Sequence, residues 1–144
     1  MKFISIWHLC HGSLALASRF QNNVVMAQLT PEIPYRKTDL TNTAALVKTG
    51  FTRLTTMEFQ NINTADVFLQ LYNAAAAADV TVGTTTPNQS YRIPASDGTT
   101  ASLSVKDWGD RGLGFNKGLV IAATTTVGGG TAPTSNSVIN LTYA

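Results

Sequence analysis

His8, Cys10 and His11 place three metal-ligating side chains within four residues. A zinc centre needs a fourth ligand and partners that orient the first three. The chain has no other His or Cys, so the fourth would have to be a carboxylate, and the triplet reads as a local cluster holding no metal. The absence of histidine beyond residue 11 also leaves any Ser nucleophile without a base, which removes the triad enzymes. The candidate acids are Glu58, Asp66, Asp79, Asp97, Asp107 and Asp110. Two of them facing each other across a cleft would suit glycoside hydrolysis. Most stand beside turn residues, however, where a carboxylate caps backbone N–H groups. Asp107 and Asp110 share one loop, two oxygen donors where calcium wants six or more. Gly83-Thr84-Thr85-Thr86 and Gly128-Gly129-Gly130-Thr131 lack the Gly-Lys-Ser/Thr ending of a phosphate loop. The expectation is a chain with no catalytic residue, no cofactor and no metal.

The elements that carry these residues follow from composition. The chain has 144 residues, 44% apolar and only 12% charged, with 21 Thr and 11 Gly. That is one domain, rich in residues of short strands and tight turns, and its weakly charged surface suits contact with partners. Ten basic residues against eight acidic give a net charge of +2, with only Arg36 and Lys37 adjacent, so no nucleic-acid footprint is present. No apolar run is long enough for a membrane-spanning helix. A single cysteine rules out an internal disulfide.

Residues 1–25 read as a leader, a signal-like segment or a stretch upstream of the true start, with a structural arm as the remaining option. MKFISIWHLCHGSLALAS has the outline of a secretory signal with Ala15-Leu16-Ala17 before Ser18, and Met26-Ala27-Gln28 offers a second start. Residues 26–49, polar and broken by Pro31 and Pro34, read as an extended arm lying loose or on a neighbouring subunit. Residues 50–144 read as a β-sandwich, an all-β, jelly-roll-like antiparallel fold. Phe51 to Phe59 is a strand run. Ala65, Val67, Leu69 and Leu71 alternate with Asp66, Phe68, Gln70 and Tyr72, which predicts one core face and one mixed face. The alanines at 74–78 also suit a helix, and the alternation before them favours a strand to Tyr72 followed by a connector that coils into a short turn. Val80-Thr81-Val82 re-enters the sheet. Tyr91 to Ile93, the Asp97-Gly98 turn and the Ala101, Leu103, Val105 alternation predict a hairpin. Leu119 to Ala123 is a central strand buried on both faces, Gly128 to Gly130 a flexible loop, and Val138 to Tyr143 the last strand. Phe68, Tyr72 and Trp108 are the candidate interface residues: two aromatics on the mixed face, and a tryptophan in the charged loop Asp107 to Gly112 that either anchors a partner or folds back on the core.

The order of these segments resembles a known family. VFLQLYNAAAAADVTVGTTTPNQSYRIPAS, then LGFNKGLVIAATTTVGGGTAP, is similar to small virion structural proteins encoded among the morphogenesis genes of tailed bacteriophages. The shared features are Leu71-Tyr72, the Thr81 to Pro87 segment, Ile93-Pro94 and the Phe115 to Ala122 strand, spread over a little more than half the chain. The resemblance implies a β-sandwich subunit of a phage particle without catalytic residues, such as a head decoration or cement protein or part of a fibre. Its partners would be the major capsid or other virion proteins, and it would be a homo-oligomer, with a trimer among the options. The rival is a secreted carbohydrate-binding β-sandwich module, suggested by the signal-like leader and Trp108.

Overall fold

The computed structural model describes residues 31–144. The leader, the His8/Cys10/His11 cluster and the candidate start at Met26 lie outside the described residues. The described residues form nine strands: β1 (Ile33–Leu40), β2 (Ala45–Thr49), β3 (Thr52–Asn61), β4 (Val67–Asn73), β5 (Gln89–Ile93), β6 (Ser102–Asp107), β7 (Leu113–Phe115), β8 (Gly118–Thr124) and β9 (Ser137–Tyr143). Single 3-10 turns at Ala77–Asp79 and Gly109–Arg111 are the helical elements among the described residues. The first sheet has the order β1-β9-β3-β6, with β7 also on β3, and the second has the order β2-β8-β4-β5. Every pairing is antiparallel. Successive strands alternate between the sheets except at β4 to β5 and at the short β6 to β7 step, so the described residues form an all-β, antiparallel two-sheet sandwich.

The core lies between the sheets and is supplied by the inward pleat of both. Leu54, Met57, Phe59, Ile139 and Leu141 of the first sheet meet Val67, Leu69, Leu71, Leu119 and Ile121 of the second. The alternation from Val67 to Leu71 is therefore the inner face of β4, as its pattern predicts, although Ala65 precedes the strand and is exposed. β8 is buried along its whole length between β2 and β4, which explains its unbroken apolar run. The alanine segment after β4 closes into the turn at Ala77–Asp79.

Three expectations need correction. The stretch anticipated as an arm supplies β1 and β2, one strand for each sheet, so the paired body begins at Ile33 instead of residue 50. Pro34 is compatible with this because it sits near the start of an edge strand, where a missing N–H breaks no ladder. β5 and β6 do not form a hairpin. Ile93 pairs with Val67 in one sheet and Ser104 with Phe59 in the other, so the Asp97-Gly98 turn lies on a crossover between sheets. Residues 80–82 form no strand, because the place beside β4 is taken by β5. They run instead into a turn in which Thr84 and Thr85 N–H donate to the Thr81 carbonyl at 2.9 and 2.7 Å.

Candidate functional site

The two outer faces of the sandwich have opposite fates. On the second sheet, Tyr72, Val120 and Ala122 point outward and are covered by Ala74 and Val80 of the β4–β5 connection, with Val82 packed beside them. The glycine loop after β8 closes over the same face. Gln70 Nε2 donates to Thr124 Oγ1 at 2.7 Å and to the Gly129 carbonyl at 3.1 Å, and the Tyr72 hydroxyl donates to Gln70 Oε1. Asn42 Nδ2 reaches the Gly130 carbonyl at 2.7 Å. Gly83 and Gly130 meet backbone to backbone, where a Cβ on Gly83 would lie 2.8 Å from Gly130 Cα. The loop expected to be flexible is thus tied at several points, and close packing explains Gly83, Gly129 and Gly130, while Gly128 stands in open space with a positive φ.

Tyr72, expected to face a partner, is 1% exposed and covered by its own chain. Burial raises its phenol pKa. The sequence shows its outward direction, and only the tertiary structure shows what covers it. Phe68 is half-buried on the same sheet, in register with Thr124 and Arg92. Trp108 is half-buried and packs against the core, its ring edge-on to Tyr91 with centroids 5.9 Å apart and planes at 62°. The candidate interface residues are therefore not gathered in one place: β4 carries the first two, and Trp108 stands beyond β6 at the rim of the other sheet.

Among the described residues nothing covers the outer face of the first sheet. Arg36, Asn140, Glu58 and Val105 form one row across β1, β9, β3 and β6, and Val138, Gln60 and Leu103 form another. A shallow trough of about 540 Å³ crosses this face, with Pro34, Arg36, Glu58, Val105 and Thr142 along it. Leu103 is 55% exposed and Val105 61%. Composition misses this feature because the apolar side of β6 faces out. Its inward positions are polar, and Lys106 Nζ lies 6.0 Å from the Tyr91 ring centre. The register with β3 is what reveals it. A second hollow of about 320 Å³ lies under the β4–β5 connection, where Asp79, Asn88 and Lys117 gather at the edge of Tyr72.

The carboxylates are dispersed, and most serve local structure. Asp66 accepts from Arg92 Nε at 2.6 Å and from Ala95 N–H at 3.0 Å. Asp97 accepts from Thr99 N–H at 2.8 Å and from Thr100 N–H. Asp79 accepts from Ala76 N–H and Asp107 from Gly109 N–H. Glu58 stands alone on the bare face, and Asp110 lies in its 3-10 turn. Among the described residues no three His, Cys, Asp or Glu side chains are placed to share a metal ion.

The hydrogen bond from Arg92 holds the Asp66 carboxyl below the usual carboxylate range, and the backbone N–H groups of Thr100 and Thr99 do the same for Asp97. A depressed folded-state pKa stabilises the fold above the unfolded value of about 4 and loses that contribution as pH falls through the folded value. The urea midpoint is accordingly expected to fall as the pH drops below about 4 and these two carboxyls take up protons. A midpoint that stays unchanged from about pH 5 to about pH 3 contradicts this.

Compared with known proteins, the chain matches no family model and no curated sequence. No helix among the described residues is long and apolar enough to cross a membrane.

Proposed function

We propose that this chain is a non-enzymatic structural component of a tailed-phage virion, in first place a capsid decoration or cement protein that attaches to coat subunits and assembles with copies of itself. The observation that carries the reading is the unequal treatment of the two outer faces. One is sealed by its own loops, while the other presents a broad surface of Thr, Asn, Gln, Val and Leu, with Arg36 and Glu58 as charges along its trough, and has no cover among the described residues. Such a surface suits many modest contacts repeated by symmetry better than one strong site. The segments that resemble virion proteins support the reading in a second way. Leu71-Tyr72, Thr81 to Pro87 and Phe115 to Ala122 belong to the sealed side or lead into it, so they act as scaffold and leave the other side for partners.

The test uses the full chain. Size-exclusion chromatography with light scattering is expected to show an oligomer, and phage particles lacking the protein are expected to retain it on sedimentation. A monomer that ignores particles overturns the proposal. The carbohydrate-module alternative depends on Trp108 as a sugar platform. With its ring engaged by Tyr91, Trp108→Ala is expected to act through packing, lowering stability by about 1–3 kcal/mol. Glycan binding by the wild type that disappears in a still-folded Trp108→Ala variant would move the assignment to that class.

A further inference from the structure

We infer that β6 is a self-association edge, through which two copies of this chain join their first sheets by antiparallel β6–β6 pairing about a two-fold axis at Ser104. The inference rests on the reading above of the chain as an assembling component, and it names the contact. A sheet edge invites pairing unless proline, charge, a bulge or shortness blunts it. Among the described residues the sandwich has four such edges. β1 carries Pro34, the Lys37–Asp39 ion pair and an irregularity between Lys37 and Leu40. β2 has five residues and an irregularity between Leu46 and Lys48. β5 has five residues and the Arg92–Asp66 pair. β6 keeps an unbroken register over six residues, has no proline, and carries its two charges, Lys106 and Asp107, together at its C-terminal end, clear of Leu103 and Val105.

The phase of the ladder shows which groups are free. Trp108 N–H donates to the Thr55 carbonyl at 3.0 Å. Hydrogen-bonded and non-hydrogen-bonded pairs alternate along an antiparallel ladder, so Lys106, Ser104 and Ser102 bond to β3. Leu103, Val105 and Asp107 therefore turn their backbone N–H and C=O toward the open edge. Leu103 and Val105 are also the exposed apolar side chains of this strand.

A partner strand that keeps the bare faces on one side must set 103, 105 and 107 against positions of the same parity. Placing Leu103 opposite Val105 of the second copy, and the reverse, joins four apolar side chains into one stripe. Those two pairs exchange both of their backbone bonds, because the groups they need are the ones β3 leaves free. Shifting the register by two residues one way sets Leu103 against Asp107 and divides the stripe, and shifting it the other way sets Val105 against Ala101 outside the strand and leaves only Ser102 to Ser104 paired. In the chosen register Lys106 faces Ser102 and Asp107 faces Ala101, so no like charges meet.

Val105→Pro isolates the contact. The Val105 N–H bonds nothing in its own sheet, so proline removes an intermolecular bond and blocks the edge at little cost to the monomer. In sedimentation equilibrium the wild type is expected to reach twice the chain mass with rising concentration. Val105→Pro is expected to stay at one chain mass with an unchanged far-ultraviolet spectrum, and Leu103→Lys to weaken association in the same direction. Backbone amides of Leu103 and Val105 are expected to exchange more slowly as concentration rises. An oligomer that both variants leave intact overturns β6 pairing and leaves the building-block reading to the particle assay. Protection of the Val105 amide that does not change with concentration means the same chain covers the edge, and it also overturns the inference.

Discussion

Gly118→Ala is expected to destabilise the domain by about 3–5 kcal/mol, read as a large fall in the urea midpoint. Gly118 opens the central strand β8 with φ at +145°, a backbone conformation that side-chain-bearing residues avoid. A Cβ there would lie 2.6 Å from the carbonyl oxygens of both Ala74 and Lys48. These are backbone atoms of the segments on either side, so no rotamer change relieves the clash. Relief requires moving β8 away from β2 or from the end of β4, and the core hangs on those two pairings. Gly114→Ala in β7 is the control. Its Cβ would meet nothing within 4 Å, and the change is expected to stay within about 0.5 kcal/mol. Equal midpoints for the two variants would show that β8 is not held as tightly as these distances imply.

Asn61→Ala is expected to cost about 3–4 kcal/mol, an effect out of proportion to the size of one amide. Asn61 is fully buried at the end of β3. Its Nδ2 donates to the carbonyls of Ala65 at 3.0 Å and Pro94 at 2.8 Å, and its Oδ1 accepts from Asn63 N–H at 2.8 Å and Asn63 Nδ2 at 2.9 Å. Asn63 passes the connection on. Its Nδ2 donates to the Ser135 carbonyl at 3.1 Å, its Oδ1 accepts from Ser135 N–H at 2.6 Å, and its own carbonyl accepts from Ser96 N–H at 2.8 Å. Two side chains thus bind the β3–β4, β5–β6 and β8–β9 connections into one end of the sandwich. Removing Asn61 leaves buried polar groups without partners, which costs more than the bonds contributed. Asn63→Ala and the double variant complete a cycle in which the effects are expected to fall short of additivity by at least about 0.5 kcal/mol. Strict additivity would mean that the two asparagines act independently.

Both effects concern residues whose roles are hard to see in the chain. Asn61 and Asn63 look like a turn between strands, and part of the signal is correct, since β3 does end there. Their burial is invisible because it depends on loops that begin more than thirty residues later in the chain. The strands were legible where local pattern and environment agree. Val67 to Leu71 alternates because one face of β4 meets the core, and Leu119 to Ala123 does not alternate because β8 is enclosed on both faces. Pattern misled where an edge or an outer face was involved. β1 is paired on one side and half-exposed, so its proline and charges resemble those of a loop. Leu103 and Val105 carry the alternation of a core strand, yet the register with β3 turns them outward.

Residue types and their period were sufficient for an all-β chain with its central strands, its principal turns and no histidine-based chemistry beyond residue 11, because those properties depend on neighbours a few positions apart. Which outer face is sealed, where Tyr72 is hidden, which way β6 points and how the crossovers run are settled by contacts between distant segments. A pleat shows that two sides differ, but only the strand laid beside it decides which of them meets water.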